Sequence, residues 1–133
     1  GQPPSVATIE AAVASVTRLT DPPRFCLGSK SASRRAILDA LVGVPFDVVV
    51  PDIDEKAIGD RGKGSDPLAL VSEIALAKAD ALASSVTNDT HPGAVLLTGD
   101  QVVTYEGSIR EKPASVVEAR EFIESYGSAP CRT

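Results

Sequence analysis

The stretch from Arg24 to Val50 constrains this chain most. Arg24-Phe25-Cys26-Leu27 is a short apolar run ending at Gly28, the pattern of a buried strand. A turn of small residues, Gly28-Ser29-Lys30-Ser31-Ala32-Ser33, passes into a helix from Arg34 to Val42. That helix has apolar spacing at Ile37, Leu38 and Leu41, and Gly43 supplies its stop. Phe46 to Val50 reads as a second, valine-rich buried strand that Pro51 breaks. Strands alternating with helices in this way make an α/β fold with a largely parallel or mixed sheet.

The remaining segments extend the alternation. Residues 59 to 66 are rich in glycine and charge and read as a flexible polar loop. Asp66-Pro67 supplies a cap and a first helical residue. The helix then runs to about Ser84, with Leu70, Ile74, Ala77 and Ala81 on its apolar side. Ala94 to Thr98 reads as another buried strand, followed by Gly99-Asp100-Gln101. Val102 to Tyr105 and Ile109-Arg110 read as a hairpin about Glu106-Gly107. A last helix, Val116 to Ser125, carries Val117, Phe122 and Ile123. Before all of these, residues 1 to 23 read as an extension, with one weak amphipathic helix over Ile9 to Leu19 that Asp21-Pro22-Pro23 stops. The expected organisation is therefore an extension over 1–23 and one domain over 24–133.

Composition excludes several classes of function. The chain has 133 residues, 43% hydrophobic and 23% charged, which is a one-domain globular balance rather than a disordered one. A net charge of −5 argues against a general nucleic-acid coat or an anionic-membrane binder. No apolar run is long enough to span a bilayer. Cys26 and Cys131 are too few for a disulfide framework and lack metal-site spacing, which points to a reduced, cytoplasmic setting. Organellar targeting by residues 1–23 stays open. With one histidine, His91, in a polar loop, a zinc hydrolase or a Ser-His-Asp triad is not expected.

Four groups of residues have the chemistry of a phosphate site. The turn holding Ser29, Lys30, Ser31, Arg34 and Arg35 joins a strand to a helix start, where backbone N–H groups, hydroxyls and cations attract phosphate oxygens. A capping serine followed by solvated arginines explains the same residues. Asp52-Ile53-Asp54-Glu55 offers carboxylates for a hard divalent cation, Asp52 and Asp54 sharing one face if the strand continues; a solvated acidic loop is the plainer account. Asp100 follows an apolar strand, where open α/β sheets place ligands, and it can accept a proton from water or hold metal; a Gly-Asp turn is the alternative. Lys78, among small residues, and Lys112, before Pro113, are two further cations, or else ordinary surface lysines. Carboxylates gathered with several cations point to metal-assisted phosphoryl chemistry.

These pieces stand in an order that resembles the Maf-like family of nucleoside triphosphate pyrophosphatases, also called septum formation inhibitor proteins. The resemblance rests on Ser29-x-Ser31-x-x-Arg34, Asp52-Ile53-Asp54-Glu55, Ala75-x-x-Lys78-Ala79, Gly99-Asp100-Gln101-Val102-Val103 and Gly107-x-Ile109-x-x-Lys112-Pro113, and it covers residues 24 to 127. It implies a mixed sheet flanked by helices, in a Maf/ITPase-like (anticodon-binding-like) architecture. The implied activity is hydrolysis of the α–β phosphoanhydride of noncanonical or modified nucleotides, giving a monophosphate and pyrophosphate. Asp100, Glu55, Lys78 and Lys112 would be catalytic, and Ser29, Ser31, Arg34 and Gln101 would bind substrate. Glu55 and Asp100 would hold Mg²⁺ or Mn²⁺. The implied partner is the nucleotide, with no nucleic acid and no membrane, and a homodimer left open.

Gln101 fits the branch associated with 7-methyl-GTP rather than the one that prefers dTTP and UTP. Three departures from the family pattern stand out. Ala32 and Ser33 replace a proline and an arginine, Glu111 replaces a glycine, and the chain stops at Thr133 where relatives continue. The last of these leads to the expectation of a domain incomplete at its C-terminus, with a catalytically impaired nucleotide-binding or regulatory fragment as the alternative function.

Overall fold

The computed structural model describes residues 4–17, 23–42 and 45–133. Its helices are α1 (Val6–Thr17), α2 (Ala32–Val42), α3 (Pro67–Leu82) and α4 (Val116–Ser125). Its strands are β1 (Arg24–Gly28), β2 (Phe46–Val49), β3 (Ala94–Leu97), β4 (Val103–Tyr105) and β5 (Ser108–Arg110), and Glu55–Ala57 forms a 3-10 turn. The class is α/β, with parallel and antiparallel pairing both present. The chain divides into two compact units, one of residues 1–53 and 78–98 and the other of residues 54–77 and 99–133.

The first unit is built on a parallel three-stranded sheet in the order β2-β1-β3. β1 is central, with Phe25 opposite both Phe46 and Val95. Cys26 and Leu27 are buried there, as the apolar run of β1 predicts. The flanking strands differ from expectation. β2 is half-buried along its length and Val50 lies outside it, 51% exposed. β3 stops at Leu97, and Val95 is 44% exposed. Each has β1 on one side only, so one edge of each strand has no partner strand among the described residues.

α2 begins two residues before Arg34, because Ser31 caps it: its hydroxyl accepts the Arg34 N–H at 3.3 Å. Its expected apolar face is only partly realised, because Ile37 is 57% exposed. The stop at Gly43 lies outside the described residues. α1 starts three residues earlier than Ile9 because Ser5 caps it, accepting the Thr8 N–H at 3.1 Å.

The second unit has its core at Leu70, Ile74 and Val102, with Ile58, Val71 and Ile109 packed against them. Asp66 caps α3 as predicted, accepting the Leu68 N–H at 2.9 Å. The buried stripe of α3 runs through Leu70, Ile74, Lys78 and Leu82, and Ala81 is exposed. Spacing every fourth residue keeps one face of a helix in line, so Lys78 takes a position where an apolar residue is expected.

β4 and β5 form the predicted hairpin, Tyr105 opposite Ser108. Glu106 and Gly107 both have positive φ, 48° and 77°, the conformation that a two-residue turn between twisted strands requires. Arg132 pairs with Thr104 through two backbone hydrogen bonds of 2.7 and 2.9 Å. In α4, Ser115 and Glu118 cap reciprocally: the Ser115 hydroxyl accepts the Glu118 N–H, and the Glu118 carboxylate accepts the Ala114 N–H. Val117 and Ile123, expected on a packed face, are 68% and 70% exposed; Phe122 alone of the three is half-buried.

Candidate functional site

In the first unit, β1 lies between β2 and β3, so the chain leaves β1 toward one neighbour and returns on its other side. Such a reversal of strand order leaves a crevice at the carboxyl ends of the strands, the usual ligand position in open α/β sheets. Gly28 and Ser29 stand there at the end of β1. A Cβ on Gly28 would lie 2.6 Å from Leu82 Cδ1 and 2.9 Å from Thr98 Cγ2, so any other residue here would have to displace both side chains. Ser29 is 6% exposed, and its hydroxyl accepts the Ser31 N–H at 3.1 Å. Ser31 in turn shares a 2.9 Å hydrogen bond with Ser33 while capping α2. The serine turn is thus a built helix start, and Arg34 in its first turn is half-buried.

Lys78 belongs to the same unit and is 5% exposed. Among the described residues, Ser29 and Lys78 are the buried polar side chains. Burying an ammonium costs several kcal/mol unless interactions offset it, and Lys78 has such an interaction within the chain.

Glu55, Asp100, Gln101 and Lys112 fall in the second unit. The expectation that Asp52 and Asp54 share a strand face is overturned, because β2 ends at Val49. Asp54 instead caps the 3-10 turn, accepting the Lys56 N–H at 3.2 Å, and Glu55 is that turn's first residue.

The organising group here is Arg61, in a segment expected to be a flexible loop. Its guanidinium donates to the Ile58 carbonyl at 2.6 Å and to the Glu55 carbonyl at 2.8 Å. It also grips Glu111 with both ends of its fork, Nε to Oε2 at 2.7 Å and Nη2 to Oε1 at 3.2 Å. The hydrogen bond to Glu111 holds the Arg61 pKa above its ordinary value against a lowering by burial, and the negative charges of Glu111, Asp100 and Asp54 add to the rise. Carboxylates from three separated segments therefore act on one guanidinium. The partners lie up to 50 residues apart in sequence, so no local signal identifies Arg61.

Lys112 is exposed and directly follows Glu111. Gln101 is exposed, and Asp100 is half-buried. His91, set aside in the sequence, lies in a loop of the first unit with Nδ1 3.0 Å from the Thr90 hydroxyl. Cys26 is buried and Cys131 exposed, and neither forms a disulfide.

A match to the family described as Maf-like protein extends over residues 24–131. The chain belongs to the Maf-like protein family. It is 36% identical over 103 residues to a dTTP/UTP pyrophosphatase of Chlamydia felis, covering 77% of this chain and 48% of the relative. It is 38% identical over 107 residues to a 7-methyl-GTP pyrophosphatase of Dictyostelium discoideum, covering 78% and 52%. A 7-methyl-GTP pyrophosphatase of Burkholderia orbicola is 42% identical over 94 residues, covering 71% and 41%. The chain thus spans about half the length of these Maf-like relatives.

Among the described residues no three His, Cys, Asp or Glu side chains converge as a metal cage. Mg²⁺ is usually held by one or two carboxylates together with substrate phosphates. Glu55 and Asp100 supply hard oxygen donors of that kind. No helix among the described residues is long and apolar enough to cross a membrane.

Proposed function

We propose that this Maf-like chain is the nucleotide-handling part of a nucleoside triphosphate pyrophosphatase. Water attacks the α-phosphorus, the bond from that phosphorus to the bridging oxygen breaks, and a nucleoside monophosphate and pyrophosphate leave. The observation that carries the reading is the burial of Lys78 and Ser29 in the unit whose strand order reverses at β1. A buried cation and a built serine turn suit a polyanion, because hydroxyls, backbone N–H groups and an ammonium all attract phosphate oxygens. The names of the relatives, all pyrophosphatases of nucleotides, agree with this.

In this reading Ser29, Ser31 and Arg34 hold phosphate oxygens, and Lys78 and Lys112 neutralise charge that builds up as the anhydride breaks. Asp100 takes the proton of the attacking water. Glu55, with Asp100, would hold a Mg²⁺ or Mn²⁺ ion, which when bound draws charge from the phosphates. Gln101 favours a 7-methyl-GTP-like substrate, although relatives named for dTTP/UTP and for 7-methyl-GTP match over similar lengths.

The test is pyrophosphate release from a panel holding 7-methyl-GTP, dTTP, UTP and the common triphosphates, with Mg²⁺ or Mn²⁺ titrated. Release from one or a few of them supports the reading. Saturable nucleotide binding with no release would leave a regulatory nucleotide-binding role, and neither binding nor release would overturn both.

A further inference from the structure

Three successive residues, Arg110, Glu111 and Lys112, leave the hairpin together, and the first two are anchored from different directions. The Arg110 guanidinium lies 4.1 Å from the Tyr105 ring centre and 4.5 Å from that of Phe122. It also donates to the Ser125 hydroxyl at 2.8 Å, so β5 is tied to α4. Glu111 is held by the two-pronged pair with Arg61. Lys112 precedes Pro113, whose ring confines the preceding residue to extended backbone. Lys112 is therefore bracketed between a clamped carboxylate and a proline.

The other side of the clamp reaches Glu55. Arg61 Nη2 donates to the Glu55 carbonyl at 2.8 Å and Nη1 to the Ile58 carbonyl at 2.6 Å, which fixes the turn on which Glu55 stands. One guanidinium thus spans the Glu55 turn and the Lys112 segment. Arginine suits the task because its fork binds both carboxylate oxygens while its remaining N–H groups reach carbonyls; a lysine ammonium offers no such planar geometry. Where the family pattern has glycine before the lysine, Glu111 supplies the carboxylate that completes the clamp.

We propose that Arg61 is a positioning residue of the pyrophosphatase site, joining the turn that carries Glu55 to the segment that carries Lys112 through Glu111. The proposal rests on the pyrophosphatase reading above. Arg61 touches no reacting atom in it; it sets where Lys112 stands, and misplacement of a charged group by about an ångström costs up to about a hundredfold in rate.

The experiment measures kcat/KM for pyrophosphate release by the parent chain, Arg61→Ala, Glu111→Gln, Lys112→Ala and the two doubles that combine Lys112→Ala with either of the others. Assays run well below each variant's melting temperature. The expected result is a loss of about ten- to a hundredfold for Arg61→Ala and a smaller loss for Glu111→Gln, which keeps an acceptor but removes the charge. In the Lys112→Ala background the Glu111→Gln loss should shrink to less than about threefold, because the lysine it positions is gone, and the Arg61→Ala loss should shrink to the part that comes through the Glu55 turn. A merely structural role moves the melting temperature and leaves the losses multiplicative, and that outcome overturns the proposal. Glu111→Gln keeps the carbonyl contacts of Arg61, so it carries the test alone if Arg61→Ala does not fold. An inactive parent chain overturns the pyrophosphatase reading and the positioning role with it; an active parent with indifferent variants overturns only the latter.

Discussion

Leu82 Cδ1 lies 2.6 Å from the place that a Cβ on Gly28 would occupy, and Thr98 Cγ2 lies 2.9 Å from it. Leu82 is 3% exposed and Thr98 is stiff about χ1, so neither neighbour can yield without disturbing packed structure. Gly28→Ala should therefore destabilise the chain by about 1–3 kcal/mol, the usual cost of overpacking. Chemical denaturation measures this directly. An unchanged midpoint would mean that the end of β1 has room for a side chain.

The same close approach explains what the sequence conveys here and what it withholds. β1, the serine turn and α2 are legible because each depends on neighbours in the chain: an apolar run, a glycine and a capping serine. The hairpin is legible for a similar reason, since Glu106-Gly107 is a local turn signal. The exposed positions Ile37, Val95, Val117 and Ile123 are not, because periodicity says that a face is apolar but not whether another element covers it. Arg61 is the clearest case. Its partners come from the turn six residues before it and from a hairpin 50 residues after it, so composition reads only a polar loop. The burial of Lys78 is hidden in a similar way: the spacing reads Ala77 and Ala81 as the apolar side, whereas the buried stripe runs through Leu70, Ile74, Lys78 and Leu82.

Lys78→Met removes the charge but keeps a long unbranched side chain. If the ammonium is there to meet nucleotide phosphates, affinity should fall about ten- to a hundredfold, the worth of one hydrogen bond to a charged group. The melting temperature should fall by no more than one lost polar contact costs, because methionine keeps the packed stem but not the ammonium's interaction within the chain. Binding titrations alongside thermal melts separate the possibilities. A large drop in stability with unchanged binding would make Lys78 a structural partner.

Burial raises the Cys26 thiol pKa, the nearby Asp47 carboxylate raises it further, and Arg24 pulls it the other way. The folded state therefore holds this proton to higher pH than the unfolded state does. Below the ordinary thiol range, about 8.5, both states keep the proton and Cys26 adds no pH dependence. Above it the unfolded thiol ionises first, so stability should fall as pH rises through the alkaline range. Cys26→Ala should flatten that slope relative to the parent, whatever its own packing cost. At neutral pH a thiol reagent should label exposed Cys131 quickly and Cys26 only as the chain opens. Equal labelling rates would contradict the burial of β1.

Asp100 is half-buried, and its charge acts on Arg61, as do those of Glu111 and Asp54. Asp100→Asn keeps the size and hydrogen-bonding capacity of the side chain but removes its negative charge and its basicity. If Asp100 takes the proton from the attacking water, turnover should fall by about 10²- to 10⁴-fold, the range expected for loss of a general base. Nucleotide affinity should hold or improve slightly, because an anion has left the neighbourhood of a polyanionic ligand. The Arg61–Glu111 pair does not include Asp100, so the clamp itself should persist. Glu55→Gln gives the contrast: if Glu55 serves the cation rather than the proton, its loss should be partly recovered at high Mg²⁺ or Mn²⁺, whereas that of Asp100→Asn should not. Pyrophosphate release by both variants across a metal titration decides the assignment. Near-normal turnover by Asp100→Asn would show that another group accepts the proton.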